Sequence, residues 1–153
     1  MLWQGDNTMG YTKEFGHLIY DIPEFLLEDK NWEDVSWHND ICPRFENKTR
    51  LLAIWVETIN PELREYDDWK QYTVVKLIPY SDGKLQLADD TLFTTEDAMK
   101  LECWLWLYTT KCNLEHASLA LCRMDEPLEE LQDNIATLLA QTDEAMASLE
   151  DQT

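Results

Sequence analysis

The densest run of reactive side chains in this 153-residue chain is Trp37-His38-Asn39-Asp40-Ile41-Cys42-Pro43. A cysteine beside a histidine can serve as a nucleophile and its base, provided the two side chains meet. Here they lie four apart on one turn-rich segment, and no glycines follow to form an oxyanion hole. The plainer reading is a loop in which Asn39 or Asp40 bonds to backbone and Trp37 anchors the core. A small enzyme using His38 and Cys42 is the third of three readings, and no catalytic residue is assigned.

Metal chemistry is the other possibility these side chains raise. Three residues separate His38 from Cys42, and three separate Cys112 from His116, in mirrored order. Together they would make a Cys2His2 set suited to zinc. Structural zinc sites favour closer cysteines and glycine-bearing knuckles, and buried free thiols with surface histidines account for the same four residues. No metal and no other cofactor is expected. There is no D-x-D-x-D-G loop for calcium. The four glycines, Gly5, Gly10, Gly16 and Gly83, make neither a P-loop nor a dinucleotide fingerprint.

Carboxylates dominate instead. Thirty-one acids against twelve bases leave a formal charge of −19. Residues 44–123 are close to balance, whereas residues 124–153 hold nine acids and no base. Such a field repels nucleic acid and anionic lipid and attracts basic proteins. Direct nucleic-acid binding needs a basic face, and none is present.

Nine pairs of adjacent acids punctuate the chain, among them Glu33-Asp34, Asp67-Asp68, Asp125-Glu126 and Glu129-Glu130. In the final segment Glu126 faces Glu130 and Glu129 faces Asp133 at helical spacing. Each such pair costs about 0.2–0.5 kcal/mol in an isolated helix, and no lysine follows Arg123 to relieve it. Selection for negative charge itself explains that pattern; acids scattered for solubility are the blander account. Carboxylates fixed on a rigid surface can imitate the phosphate row of a nucleic acid, about one charge per ~1.7 Å of duplex. The candidate partner-binding residues are therefore Asp125, Glu126, Glu129, Glu130 and Asp133. Glu33, Asp34, Asp67, Asp68 and Trp69 form a second patch. Trp32, Trp37 and Trp69 sit in loops near acids, where an arginine-rich partner could stack on them. Trp55, Trp104 and Trp106 are expected in the core.

The elements that must carry these residues follow from periodicity. The apolar fraction of 44 % with seven tryptophans implies a packed globule. No apolar run is long enough to span a membrane. Without a basic, then apolar, leader the four cysteines should stay reduced, and the expected location is the cytoplasm. Helical spacing is read from Lys13 to Asp29, with Pro23 opening a second helix or kinking the first and Asp21 as its cap. Residues 30–49 have no period and read as an ordered loop. Strands are expected over Arg50–Thr58, Gln71–Tyr80 and from Leu85 onward. Asp82-Gly83 suggests a two-residue type I′ hairpin between the last two.

Thr94 and Thr95, followed by Glu96 and Asp97, resemble a helix N-terminus. That helix should end near Thr110, a short one should occupy Leu114–Met124, and the last should open at Pro127. Its stripe Leu128, Leu131, Ile135, Leu138, Ala145 and Leu149 is interrupted by Thr142. The expected fold is α+β: a small three-stranded antiparallel meander with an N-terminal helix and C-terminal helices packed on it. Residues 1–124 would form the core domain, and 125–153 an acidic helix on that core or at a dimer interface. The function this implies is binding, and inhibition, of a basic nucleic-acid-handling protein. The alternative is an assembly protein that forms a homodimer through the last helix.

Overall fold

The computed structural model describes residues 10–16, 18–123 and 128–151. The fold is α+β, and the chain divides into two compact units, Met1–Asp97 and Ala98–Thr153. The first holds a five-stranded sheet in which each strand pairs antiparallel with the next in sequence. Its strands are β1 (Glu33–Asp34), β2 (Arg44–Asn47), β3 (Leu52–Val56), β4 (Tyr72–Pro79) and β5 (Leu85–Thr95). β3 lies in the middle, as its unbroken apolar run suggests, because a central strand meets neighbours on both faces.

The pleat sorts the core into two faces. Ile54 registers with Phe45 and Val74, and Val74 with Phe93; these four are buried together with Leu52, Val56 and Tyr72. Helix α1 (Gly10–Phe15) lies on this face, since Tyr11 meets the Phe45 ring at 6.1 Å. On the other face Ala53, Val75 and Leu77 form a buried cluster lined by Leu51, Trp55, Leu85 and Leu87.

Five strands are present where three were expected. The two missed strands lie in the 30–49 segment read as a loop. β1 has two residues and β2 four, too short for a period to show, and the inward position 47 is a fully buried asparagine. Pro23 does open a second helix, α2 (Glu24–Glu28), but no side chain caps it. Asp21 instead accepts a hydrogen bond from the Tyr72 hydroxyl, and Tyr20 bridges to Thr58.

The β4–β5 hairpin also differs. Tyr80 N–H donates to the Lys84 carbonyl, which leaves Ser81, Asp82 and Gly83 as a three-residue loop. Only Gly83, at φ +80°, takes the left-handed conformation there; Asp82 does not, so the turn is not type I′. Further along, β4 and β5 lose register around Val75–Leu77, and the exposed doublet Asp89-Asp90 occupies the extra length.

The second unit is a pair of packed helices. α3 (Ala98–Leu121) is one continuous helix where two were expected, and α4 (Glu129–Glu150) follows. Nothing in Lys111-Cys112-Asn113 stops α3. The hydroxyls of Thr109 and Thr110 return to the carbonyls of Leu105 and Trp106, so both are accommodated mid-helix. The acids expected in its first turn, Glu96 and Asp97, precede the helix. Lys111 pairs with Asp143 across the two helices at 2.6 Å. Ile135, Thr142 and Met146 form the buried stripe of α4, whereas Leu128, Leu131 and Leu138 are exposed. Trp106, expected in the core, is 70 % exposed. No helix among the described residues is long and apolar enough to cross a membrane.

A side chain at position 83 would meet no neighbour within 4 Å, so only the backbone resists substitution. Gly83→Ala should destabilise the protein by about 1 kcal/mol in urea unfolding, and Gly83→Asn by less, because asparagine tolerates that conformation better.

Candidate functional site

Residues 57–71 connect β3 to β4 and carry five of the acids of the first unit. The segment opens with Asn60-Pro61, where the Asn60 carboxamide oxygen accepts the Glu62 N–H at 3.1 Å and starts a 3-10 turn over Pro61–Leu63. Proline at the first position suits such a turn, since its missing N–H is not needed.

Arg64 then folds inward. Its side chain is 3 % exposed. Nε donates to the Thr58 carbonyl at 3.1 Å and Nη1 to the Trp69 carbonyl at 2.8 Å, so one guanidinium ties both ends of the turn. The same group forms a two-pronged pair with Glu96, at 2.6 and 2.9 Å. Planar geometry and delocalised charge fit arginine, not lysine, to that combination. The Arg64 hydrogen bond and charge hold the Glu96 carboxyl below the usual carboxylate range.

With Arg64 buried, what the turn shows to solvent is acidic. Glu62, Glu65, Asp67 and Asp68 are all exposed. Tyr66, 44 % exposed, packs at a tilt against the half-buried Trp69 with ring centroids 4.9 Å apart. Beside the acids runs an apolar groove of about 380 Å³, lined by Leu18, Ile19, Thr58, Ile59, Asn60 and Leu63. Ile19 and Leu63 are 74 % and 57 % exposed.

A second, hidden acid lies below. Glu57 is 3 % exposed; one carboxyl oxygen accepts the Thr58 N–H at 3.1 Å, and the other has no N–H or O–H donor among the described residues. Burial raises its pKa, against the opposing pull of the Thr58 N–H, the Cys42 thiol and Arg64. Cys42 is fully buried, and burial, followed by the Glu57 charge, pushes its thiol far up. That is the opposite of the thiolate a nucleophile needs. Tyr20, which also feels Cys42 and Glu57, is raised chiefly by burial.

The residues singled out from sequence meet different fates. Asp67, Asp68 and Trp69 lie together on the turn, although Trp69 offers only part of its ring. Glu33 and Asp34 lie apart, on the edge strand β1. Glu33 registers with Glu46, a like-charge pair relieved by Lys48 and Arg44, and Lys48 is ion-paired with Glu33. Asp34 serves the backbone, accepting from Tyr11 N–H at 2.9 Å and Ser36 N–H at 3.0 Å. Gly10 permits that approach, since a Cβ there would stand 3.3 Å from the carboxylate. Neither acid is free to meet a partner unencumbered.

In the second unit Glu129, Glu130 and Asp133 are exposed at the start of α4, and a cleft of about 450 Å³ runs past Leu128, Glu129, Glu130, Leu131 and Asn134. Asp125 and Glu126 lie outside the described residues. Of the metal candidates, His38 is exposed and tilted against Trp37, Cys42 is buried, and Cys112 and His116 lie one turn apart on α3. Among the described residues no three His, Cys, Asp or Glu side chains are grouped to hold a metal. Asp40 bonds to Trp37 N–H as the loop reading expects, but Trp37 itself is 55 % exposed. Trp32 is buried against Phe25, and Trp55 is capped by the Arg44 guanidinium at 4.9 Å. Arg64, Glu96, Ile19, Ile59 and Leu63 were missed. The one hint was a lone arginine inside an acidic segment.

No family model, curated protein or solved structure matches this chain.

Two outcomes follow from the buried charges. Arg64→Met should cost about 2–3 kcal/mol in urea unfolding, the lower end for a broken ion pair because Glu96 stays half exposed. Glu57, with its folded pKa raised, binds its proton more tightly in the native state, so it weakens the fold as pH rises above the ordinary carboxylate value. Glu57→Gln should therefore stabilise the protein relative to wild type by a margin that grows from pH 5 to pH 8; a margin constant with pH would contradict this.

Proposed function

We propose that this protein binds, and thereby inhibits, a basic protein that handles nucleic acid. The observation that carries the reading is the 57–69 turn. Within it Arg64 is buried and makes four hydrogen bonds, Lys70 just beyond it is half exposed, and Glu62, Glu65, Asp67 and Asp68 face solvent. Arg64 holds the turn at both ends, so the carboxylates are presented with little ordering left to do on binding. That lowers the entropic cost of association. A formal charge of −19 adds long-range attraction for a cationic surface.

Fixed carboxylates occupy a groove built for phosphates by the same charge-assisted bonds to arginine and lysine. A protein with this chemistry suits the role of a nucleic-acid mimic, such as an anti-defence or immunity-type inhibitor of a nuclease or an RNA-guided effector. Glu129, Glu130 and Asp133 on α4 are a further set of exposed acids that a basic partner could meet.

A second reading is assembly through α4. Leu128, Leu131 and Leu138 are each 45–48 % exposed, more apolar surface than a solvated helix needs. Two such helices would have to approach with Glu129, Glu130 and Asp133 alongside.

One experiment separates the two readings. The protein is immobilised at low salt against extract of its source cell and eluted with rising salt, and the free protein's mass is measured over a hundredfold concentration range. The expected result is recovery of basic nucleic-acid-binding proteins, displaced by duplex DNA and lost with Asp67→Asn/Asp68→Asn, from a protein of monomeric mass. Recovery of neutral or acidic proteins, or insensitivity to salt, overturns the first reading; a mass that doubles with concentration favours the second.

A further inference from the structure

The apolar groove beside the acidic turn is built by pairing, not by chance exposure. Ile59 N–H donates to the Ile19 carbonyl at 3.2 Å, the Thr58 hydroxyl donates to the same oxygen at 3.1 Å, and Tyr20 bridges to Thr58. These bonds lock the Leu18–Ile19 wall to the Thr58–Leu63 wall. The Thr58 hydroxyl is engaged in them, and the Asn60 carboxamide oxygen accepts the Glu62 N–H. What remains is aliphatic: Ile19, Ile59 and Leu63 are 74 %, 48 % and 57 % exposed around one depression. Isolated exposed aliphatics need no explanation, but three lining a preformed groove do.

We infer that this groove takes an aliphatic or aromatic side chain from a cationic segment of the partner, while Glu62, Glu65, Asp67 and Asp68 pair with the lysines or arginines flanking it. The inference rests on the function proposed above and adds to it a mode of recognition. Charge complementarity selects the occupant. Any segment lodged between Ile19 and Leu63 lies beside a turn that exposes Glu62, Glu65, Asp67 and Asp68, with the half-exposed Lys70 at its end. A second copy of this chain would bring the same four carboxylates toward one another. An apolar anchor in a pocket ringed by charge pairs is also how strong interface contacts are commonly arranged. Salt-dependent attraction would bring the partner in, and the anchor would fix its register.

The test uses the whole protein with methyl-labelled isoleucine and leucine. The probes are two synthetic arginine-rich peptides of equal charge, one with two central leucines and one with serines in their place. At low salt the leucine peptide should bind about tenfold tighter, the gain from burying one such side chain. It alone should shift the methyl signals of Ile19, Ile59 and Leu63. Leu63→Trp, which fills the groove, should abolish that gain without changing affinity for the serine peptide. Ile19→Ser, at a position with little packing to lose, should reduce the gain with the unfolding midpoint unchanged.

Equal binding of the two peptides, with the groove methyls unmoved, overturns the inference but leaves the basic-partner reading standing. If neither peptide binds at low salt, both fall. Groove methyls that shift on concentrating the protein alone, with a doubled mass, would make the groove a self-interface and overturn the inference.

Discussion

Arg64 is the constraint on which the exposed chemistry of the first unit depends. A guanidinium has five donors and no way to shed its charge, so burying one is tolerable only if carbonyls and a carboxylate receive it. Here the Thr58 and Trp69 carbonyls and the Glu96 carboxylate do so. The connection between β3 and β4 is thereby pinned. Without that pin, a segment rich in Glu and Asp would be expected to wander in solvent, because between Ile59 and Lys70 only Arg64 is buried. The repulsion among its acids is offset by the Arg64 cation placed behind them, with the half-exposed Lys70 at the end of the segment.

The acids of this protein consequently divide into classes that composition alone cannot distinguish. Glu96 neutralises a buried arginine, Asp34 receives backbone N–H groups, Glu33 is tied to Lys48, and Glu57 is enclosed beside a thiol. Glu96, Asp34 and Glu33 are tied to partners within the fold, whereas Glu57 is enclosed at a cost to stability once it ionises. Glu62, Glu65, Asp67 and Asp68 face solvent instead. A reading of function from charge is therefore sounder when it rests on the second class than on the total of −19.

Much of the scaffold was legible in the residues. The apolar run in β3, the β-branched run in β4 and the glycine-bearing turn before β5 all speak through short-range rules, and the long last helix speaks through its leucines. What stayed hidden depends on distant partners. β2 is held by register with β3, and β1 in turn by register with β2, not by any periodicity within 30–49. The leucines of α4 look like a buried stripe, yet the helix is rotated so that Ile135, Thr142 and Met146 face inward and Leu131 and Leu138 outward. Asp67-Asp68 and Glu33-Asp34 look alike in sequence; only Lys48, fourteen or more positions further on, tells them apart. The Arg64–Glu96 pair spans thirty-two positions, and no local rule reaches that far.

The two borders of the sheet share one property. β1 and β5 are its outermost strands, and each carries adjacent acids, Glu33-Asp34 on one and Asp89-Asp90 on the other. An extended chain trying to add itself as a sixth strand would meet carboxylates on the short edge. On the long edge it would meet carboxylates together with a disrupted ladder, where β5 bulges. Open strand borders are where folded proteins begin to stick to one another, and charge and irregularity there are deterrents. Molecules of this protein should therefore resist fibril-like association even when crowded.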